Sequence, residues 1–442
     1  MKPALRILAV PNEDGFGPSA LLSYVVKELL AQHPDSHATI WNRARANYNR
    51  SLYRDLIAAG RVNVEPVNNL IQLAKDTSTG IVSIAGTLAL IGDYHAASNH
   101  YASDARPGSF DLVLEFGVPA VARWAVKHKL PCIGIGDHAW GRTLEMVCDD
   151  AVELLTARQR AQWRKLVTAI RRDEAFTRKL FLFPEFISPP LFRAHWRSVV
   201  SRAVVRRLSG VLGGATSWND RQAREYFGLT KPGRIVMIQG GDTPAWDALL
   251  QRLVPTFLDA SAELEARRLN VAFYIPRRLA GRKAIARLSD PSVARRCPRV
   301  RAFAPVPGGT TQKMFPFADL LVTRAGGGTV NDAVACRTPF VCVREHSQSQ
   351  VEATLAACVR RGLTRVVDNT ALEADPLRAI LAELDRVRDN RKLVAAMREI
   401  PNHEEKRLAR ETLRYFAHAR AKDANSVKGA PARVLPPRAH FS

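Results

Sequence analysis

Short apolar runs that each lead through a polar turn into an amphipathic segment limit most strongly how this chain can fold. The first run covers residues 5–11 and is followed by a glycine-containing turn and by the amphipathic segment 20–33. Two further runs, at residues 110–116 and 130–136, enclose a second amphipathic segment. Here the hydrophobic period changes from a continuous run to the helical spacing. Strands that alternate with helices in this way predict an α/β fold with a parallel sheet.

A second series of the same kind begins after residue 228. Gly228 is suited to end a helix, and residues 229–234 (LTKPGR) have the composition of a linker. A chain of 442 residues is also too long for one ordinary core. We therefore predict a first domain over residues 1–230 and a second over 231–420, with its last helix able to pack back on the first domain. The polar, proline-containing residues 421–442 are predicted to be a disordered tail.

The charge balance favours an anionic partner. Lys and Arg number 65 against 42 Asp and Glu, which gives a net charge of +23. Such a surface attracts nucleotides and their sugar conjugates, nucleic acid or anionic lipid headgroups. Nucleic acid is not favoured, because the sequence has no zinc finger, aromatic RNA-binding signature or basic leucine zipper. The Arg-rich residues 158–207 fit either solvated helical faces or, beside the apolar run 81–92, contact with lipid headgroups.

The cysteines and the apolar runs bear on the compartment. The six cysteines are scattered without a CxxC pair, so neither a zinc site nor a disulfide framework is predicted. The first apolar run meets Asn12, Glu13 and Asp14 and is typical of a first strand rather than a signal peptide. The run 81–92 is roughly half of the ~20 residues that cross a bilayer; a buried core helix or the wall of a binding pocket is its default interpretation. We predict a cytoplasmic protein, with peripheral contact at the inner face of the membrane left open.

Residues 316–363 carry the clearest sign of a binding site. A predicted buried strand ends at Thr323, and Gly326, Gly327 and Gly328 follow before a helix that is predicted to open near Thr329. The backbone N–H groups and the positive end of the helix then converge on one point with no Cβ in the way. This arrangement is suited to a diphosphate, although a glycine triplet after a strand also occurs as a plain structural turn.

Side chains on either side of this turn extend the predicted site. Arg324 is placed to pair with a phosphate through its guanidinium. Asp332 lies about one helical turn further on, where a carboxylate can accept hydrogen bonds from ribose hydroxyls. The following strand ends at the same sheet edge, in a loop whose side chains are expected to meet whatever the nucleotide carries. These side chains are Glu345, His346, Ser349 and Gln350.

The order of elements across residues 319–350 resembles the donor-binding segment of the GT-B glycosyltransferases. The resemblance is greatest to the peptidoglycan N-acetylglucosaminyltransferases and to the plant and natural-product UDP-sugar transferases. It implies two facing Rossmann-like domains, each with a parallel sheet flanked by helices, and a donor held mainly by the second. The family pattern comprises a basic residue, glycines and small residues, a threonine, a carboxylate, a Gly-x-Pro strand entry and a pair ending in Gln. It falls here on Arg324, Gly326 to Gly328, Thr329, Asp332, Thr338-Pro339 and Ser349-Gln350.

Some positions depart from that family or match it more loosely. Asp332 stands where the family usually has Glu, and Ser349 stands where it has an acidic residue before Gln. Gly241 lies in a loop that corresponds to a family loop beside the donor phosphates. Many inverting members carry a catalytic His in the first loop, but here that place falls on Phe16 or Pro18, neither of which can take a proton.

Three other side chains are therefore candidates for the general base. Asp14 lies in the same first loop, and His138 follows a later strand. Glu115 is the third candidate and is expected to be structural. A base must reach the acceptor hydroxyl and have a suitable pKa, and roles in turns or helix caps remain open for all of them.

The resemblance implies an inverting, metal-independent glycosyltransferase. Its donor is a nucleoside diphosphate sugar, with a UDP-sugar favoured, and no separate cofactor is expected. The acceptor is an unknown hydroxyl or amine on a natural product, a sugar or a lipid-linked compound. A nucleotide-sugar hydrolase, a 2-epimerase and a non-catalytic nucleotide-sugar-binding auxiliary protein remain alternatives, because the fold alone does not separate them.

Overall fold

A computed structural model describes residues 4–69, 73–74, 82–91, 94, 107–136, 139–150, 155–201, 204–214, 218–240, 244–276, 279, 281–303, 311–344, 349–389 and 391–428. These residues form two parallel sheets flanked by helices, as the alternating pattern of the sequence predicts. All strand pairs between neighbours in both sheets are parallel.

The first sheet has seven strands in the order β3-β2-β1-β4-β5-β6-β7. The strands are β1 (Arg6–Pro11), β2 (His37–Trp41), β3 (Val62–Glu65), β4 (Leu112–Phe116), β5 (Cys132–Gly136), β6 (Leu180–Leu182) and β7 (Val205–Arg207). The helices of this half are α1 (Gly17–Gln32), α2 (Ala46–Leu52), α3 (Arg54–Ala58), α4 (Ile84–Ile91), α5 (Pro119–Lys127), α6 (Trp140–Asp150), α7 (Ala157–Glu174), α8 (Pro190–Val199) and α9 (Asp220–Phe227).

The second sheet has six strands in the order β10-β9-β8-β11-β12-β13. The strands are β8 (Arg234–Gln239), β9 (Leu269–Tyr274), β10 (Val300–Phe303), β11 (Leu320–Thr323), β12 (Phe340–Val343) and β13 (Thr364–Val367). The helices are α10 (Pro244–Asp259), α11 (Ser261–Ala266), α12 (Lys283–Ala286), α13 (Pro291–Arg296), α14 (Gly327–Cys336), α15 (Ser349–Arg360), α16 (Asn369–Ala374), α17 (Pro376–Asp389), α18 (Arg391–Arg398) and α19 (Glu404–Lys428).

Several element boundaries follow from local chemistry. Gly228 ends α9 in the left-handed conformation with φ of 64°, as predicted from its position. Thr156 caps α7 by accepting a hydrogen bond from the backbone N–H of Gln159, which fixes the start of this helix. Gly326 has the extended conformation of an N-cap, and α14 therefore begins at Gly327, two residues earlier than predicted.

The prediction of a tail from residue 421 is wrong at its start. The last helix, α19, continues through Lys428 and packs against α1 of the first half. The later residues of the predicted tail, 429–442, lie outside the described ones. Part of the sequence that was expected to be disordered therefore extends a helix that crosses back to the first sheet.

The apolar run 81–92 forms α4 over the residues that are described. Ile84, Thr87 and Ile91 are buried, whereas 58% of the surface of Leu90 is exposed. No helix in the described part of the chain is long and apolar enough to cross a membrane. All six cysteines are free.

One hydrophobic core joins the two sheets. Val25 and Leu29 of α1 belong to the same buried cluster as Leu321 of β11 and Val330 of α14. Separate clusters cover the outer face of each sheet. Because apolar burial gives roughly 25 cal/mol per Å², the shared cluster stabilises the contact between the two halves as well as each half.

Side-chain amides fix the chain where it passes between the two sheets. Asn331 Oδ1 accepts a hydrogen bond from the backbone N–H of Leu212 at 2.9 Å, and Asn331 Nδ2 donates to the carbonyl of the same residue at 3.0 Å. Gln312 Nε2 donates to that carbonyl at 2.8 Å. The backbone N–H of Gly213 donates to Glu405 Oε2 at 2.7 Å. The connection is thus held by α14 on one side and by α19 on the other.

We expect Asn331→Ala to lower the free energy of unfolding by about 1–3 kcal/mol, because it leaves a buried backbone N–H without its acceptor. Urea unfolding followed by tryptophan fluorescence measures this. Asn47→Ala, at an exposed position of α2, is the control and is expected to change the free energy by about 0.5 kcal/mol or less. Equal stabilities of the two variants would contradict the importance of this amide.

Candidate functional site

The glycine turn lies at the carboxyl edge of the second sheet. Thr323, the last residue of β11, pairs with Gln239, the last residue of β8. The chain then turns, and the backbone N–H of Gly326 donates to the carbonyl of Arg324 at 2.8 Å. Gly326, the N-cap residue of α14, has no side chain that could accept the first N–H groups of the helix. These donors therefore face the edge where ligands bind in parallel α/β sheets.

An amide side chain beside this turn has an unsatisfied oxygen. Gln239 is 8% exposed, and its Oε1 is buried without a hydrogen-bond partner among the described residues. Buried polar atoms in folded proteins nearly always have a partner, which is often water or a ligand. Gln239 therefore marks a place at the sheet edge where a further polar group is expected.

The N-terminus of α1 meets the N-terminus of α14 at a contact between two glycines. A Cβ atom built on Gly328 would lie 2.9 Å from the Cα atom of Gly17. Further along both helices, Tyr24 Oη donates to Asp332 Oδ1 at 3.5 Å. The two contacts pack the first turns of α1 and α14 against each other. Two positive helix ends, one from each half of the protein, therefore lie together.

Asp332 is deeply buried at this interface. It is 4% exposed, and besides Tyr24 its carboxylate accepts hydrogen bonds from Gln312 Nε2 at 2.9 Å, from Asn331 Nδ2 at 3.1 Å and from Thr311 Oγ1. Burial raises its pKa, and these hydrogen bonds oppose the rise. The carboxylate that was predicted to bind ribose is thus already engaged within the protein, and a ribose contact would require one of these donors to be released.

The other predicted donor-site residues fall in three places. Arg324 and Thr329 are half-buried beside the glycine turn and in the first turn of α14. Ser349 begins α15, and the Oε1 atom of Gln350 is buried without a partner among the described residues. Gly241, Glu345 and His346 lie outside the described residues.

The loop that carries Asp14 meets the end of β4 and the start of α6 at the edge of the first sheet. Strands β1, β4 and β5 are neighbours, and the backbone N–H of Asn12 donates to the carbonyl of Phe116 at 3.0 Å. Asn12 Oδ1 accepts the backbone N–H of Asp14 at 3.1 Å. A Cβ built on Gly117 would lie 2.8 Å from Asn12 Nδ2 and 3.1 Å from Trp140 Nε1. The Asp14 loop and the start of α6 therefore converge, while His138, two residues before Trp140, is outside the described residues.

The positions that replace the family histidine have packing roles. The ring of Phe16 lies edge-on to Tyr48, with 4.8 Å between ring centres. The Arg45 guanidinium lies over the same ring, 4.4 Å from its centre. Pro18 is buried in the first turn of α1. Phe16 thus holds an arginine beside the start of α1.

Glu115 is buried and bonded to the backbone. Its Oε2 accepts the N–H of Val118 at 2.7 Å, just before α5 begins. Burial raises the pKa of Glu115 to about 7, the charge of Glu174 adds to the rise, and the backbone hydrogen bonds oppose it. These contacts fit the structural role that was expected for Glu115.

The sequence interpretation missed Arg45 and Gln312. Arg45 lies after β2, a strand that was not predicted, so its position at the sheet edge was not recognised. The alternation in His37–Trp41 followed by a polar loop is the signal that points to this edge. Gln312 precedes β11 and becomes visible only through its contacts with Leu212 and Asp332.

Among the residues that the structure describes, no group of three or more His, Cys, Asp and Glu side chains is arranged to hold a metal ion. The carboxylates of Asp332 and Glu115 instead accept hydrogen bonds from the protein itself.

No protein-family model matches the sequence, and no curated protein matches it. Solved structures do match. The chain is similar to the glycosyltransferase of kitacinnamycin with a TM-score of 0.59 at 16% identity, over 96% of this chain and 99% of that one. It is similar to a UDP-glucose:anthocyanidin 3-O-glucosyltransferase in complex with UDP, with a TM-score of 0.57 at 12% identity, over 96% and 100% of the two chains.

A third similar structure is a putative UDP-N-acetylglucosamine 2-epimerase from Listeria monocytogenes, with a TM-score of 0.52 at 11% identity, over 93% of this chain and 95% of that one. At these identities the likeness establishes the fold. The GT-B architecture implied by the sequence resemblance is therefore confirmed.

The pKa of Glu115 predicts a pH-dependent stability. Between its ordinary pKa of 4.5 and the raised value of about 7, the folded protein holds a proton that the unfolded chain has lost. The contribution of Glu115 to the free energy of unfolding therefore falls as the pH rises through this window. The Glu115→Gln variant cannot ionise at this position, and its amide oxygen can still accept the N–H of Val118. Between pH 4.5 and about 7 its free energy of unfolding is therefore expected to rise by about 1–3 kcal/mol relative to that of the parent.

Urea unfolding at pH values from 4.5 to 7.5 measures this difference. Glu225→Gln, at an exposed position of α9, is the control and should show no such trend. A constant difference between Glu115→Gln and the parent across these pH values would show that Glu115 ionises normally.

Proposed function

We propose that the protein is a glycosyltransferase that moves a sugar from a nucleoside diphosphate sugar to an acceptor. The meeting of the N-termini of α1 and α14 at Gly17 and Gly328 supports this most strongly. Backbone N–H groups and two positive helix ends in one cleft are suited to a diphosphate. UDP is the favoured nucleotide of the donor, a choice supported by the UDP complex of the similar anthocyanidin glucosyltransferase.

In the proposed donor complex the glycine turn holds the diphosphate. The N–H groups of Gly327 and Gly328 donate to it, Thr329 contacts it from the first turn of α14, and Arg324 pairs with it. These groups stabilise the negative charge that develops on the leaving diphosphate. Because helix ends and an arginine supply the opposing charge, transfer is proposed to proceed without a metal.

The remaining predicted residues are assigned to the rest of the donor. His346, Ser349 and Gln350 are proposed to face the sugar, and Gly241 to lie beside the phosphates. Asp332 is proposed to contact ribose after giving up one of its present hydrogen bonds. We propose that the hydrogen bond from Thr311 is the one replaced, because Thr311 is the only one of these donors that bonds to Oδ2 among the described residues.

A base on the first half of the protein completes the proposed mechanism. Asp14 takes the proton of the acceptor hydroxyl or amine, and His138 is the second candidate. The acceptor then attacks the anomeric carbon from the face opposite the diphosphate, so the configuration inverts. Glu115 is not proposed for this role, because its carboxylate is bonded to the N–H of Val118.

The alternatives differ in their products. The similarity to a putative 2-epimerase favours epimerisation as the second candidate function, and hydrolysis or simple binding of the nucleotide sugar would leave the acceptor unchanged. The acceptor, a natural product, a sugar or a lipid-linked compound, stays unidentified. A cytoplasmic location and peripheral membrane contact stay predictions. The exposed Leu90 of α4, which packs beside the Arg-rich α7, supports the membrane contact.

We expect one nucleoside diphosphate among UDP, dTDP, GDP and CDP to raise the unfolding temperature of the protein. At ~100 Kd a ligand adds roughly 2.7 kcal/mol, which corresponds to a shift of a few degrees. Arg324→Ala is expected to remove most of this shift, whereas Arg360→Ala, at the exposed end of α15, should retain it. Absence of a shift with all four nucleotides at millimolar concentration would contradict the proposed donor class.

The base is tested with Asp14→Asn and His138→Gln. The variant that removes the base is expected to lower kcat by about 10²- to 10⁴-fold while keeping the nucleotide-dependent shift in unfolding temperature. Turnover is measured by nucleotide release and by mass spectrometry of a glycosylated acceptor. Full activity in both variants would rule out both candidates, and nucleotide binding without turnover across a broad acceptor panel would favour the auxiliary protein.

A further inference from the structure

We propose that Arg45 binds the diphosphate of the donor from the side of the cleft opposite Arg324. This inference rests on the proposed function and adds to it a cationic residue from the first half of the protein. The family resemblance assigns no role to this position, and the structure places its side chain beside the start of α1.

The backbone around Arg45 is held in place by two side chains. Glu13 Oε1 accepts the N–H groups of Arg43 and Ala44 at 2.7 and 2.9 Å. Asn42 Oδ1 accepts the N–H of Arg45 itself at 2.6 Å. Arg45 is also the N-cap residue of α2. The loop is therefore ordered before any ligand binds, and the side chain starts from a fixed point.

The side chain is directed to the start of α1. The guanidinium carbon lies 4.4 Å from the centre of the Phe16 ring, and Tyr48 supports that ring from its edge. Phe16 is the N-cap residue of α1, and the next residue, Gly17, contacts Gly328 in the first turn of α14. Stacking on Phe16 therefore keeps the cation close to the point where the two helix ends meet.

Titratable groups that influence Arg45 come from both halves of the protein. Burial lowers its pKa, and Asp14, Tyr274 and Glu13 oppose this shift. Tyr274 is the last residue of β9 in the second sheet, so a titratable group of the second half influences Arg45 as well. An arginine keeps its charge in proteins, and a partly desolvated cation attracts an anion more strongly than an exposed one.

Together these contacts place cationic groups on both sides of the proposed diphosphate. Arg324 and the N–H groups of α14 belong to the second half, and Arg45 and the N-terminus of α1 belong to the first. A diphosphate bound between them contacts both halves at once. The carboxylate of Asp14, the proposed base, opposes the lowering of the Arg45 pKa, so the arginine also interacts electrostatically with the acceptor side of the proposed site.

Isothermal titration of UDP, or of the nucleoside diphosphate that stabilises the parent most, tests the proposal. Arg45→Ala is expected to raise Kd by about 10- to 100-fold, the loss of one charge-assisted interaction. Arg45→Lys is expected to give an intermediate Kd, because lysine keeps the charge but not the planar fork. Arg50→Ala is the matched control: Arg50 is exposed on α2, donates to Asn47, and should leave Kd unchanged.

Each outcome separates this inference from the function on which it rests. If the parent binds nucleotide and Arg45→Ala binds equally well, the assignment of Arg45 is wrong and the proposed function stands. Lower turnover with an unchanged Kd for the nucleotide, or a higher KM for the acceptor alone, would show that Arg45 acts on the acceptor or on Asp14 and not on the diphosphate. Either result would also overturn the inference. If the parent binds no nucleoside diphosphate, both proposals fail.

The unfolding temperatures of the variants without ligand check that they fold. If Arg45→Ala does not fold, Arg45→Lys decides the question. A Kd at least several-fold above that of Arg50→Ala supports the inference, and a Kd equal to it contradicts the inference.

Discussion

The contact between Gly17 and Gly328 is the constraint on which the rest of the structure depends. It brings together the N-termini of two helices, one from each half of the protein. Each end carries roughly half a positive charge, so their approach is unfavourable unless an anion lies between them or other contacts hold them. A side chain at Gly328 would meet the backbone of α1, and only glycine permits the approach.

Other parts of the fold hold these helix ends together. A single apolar core includes residues of both sheets and of both helices. On α14, Asn331 accepts a hydrogen bond from Leu212 in the connection between the sheets, and Asp332 accepts one from Tyr24 of α1. The first turn of the same helix faces the cleft. The last helix, α19, returns to pack on α1. The site is therefore formed by two sheets whose relative position is fixed by buried contacts on one side of α14.

The sequence was informative where the chain combines a clear hydrophobic period with glycine. Strands β1 and β11 and the turn from Arg324 to Gly328 were predicted because continuous apolar runs end at glycine-containing turns. Strands β6 and β7 were missed because they have three residues each, and Val205–Arg207 contains two arginines. A strand this short has no measurable period and forms because its neighbours in the sheet are already in place.

The parts of the site that depend on distant residues could not be predicted. The buried position of Asp332 follows from Thr311, Gln312 and Tyr24, which are far from it in the sequence or carry no motif of their own. The placement of Arg45 follows from Phe16 and from the preceding loop. Residues 421–428 were taken for a tail on composition, yet they continue a helix whose earlier turns pack on α1.

A positive cleft between two helix ends explains the site only if a diphosphate binds there. A crystal structure of the protein with the nucleoside diphosphate that it binds most tightly tests this most directly. If the proposed diphosphate site is correct, phosphate oxygens lie within hydrogen-bond distance of the N–H groups of Gly327 and Gly328, between Arg324 and Arg45. A nucleotide bound elsewhere, or one whose phosphates lie away from the junction of α1 and α14, would contradict it.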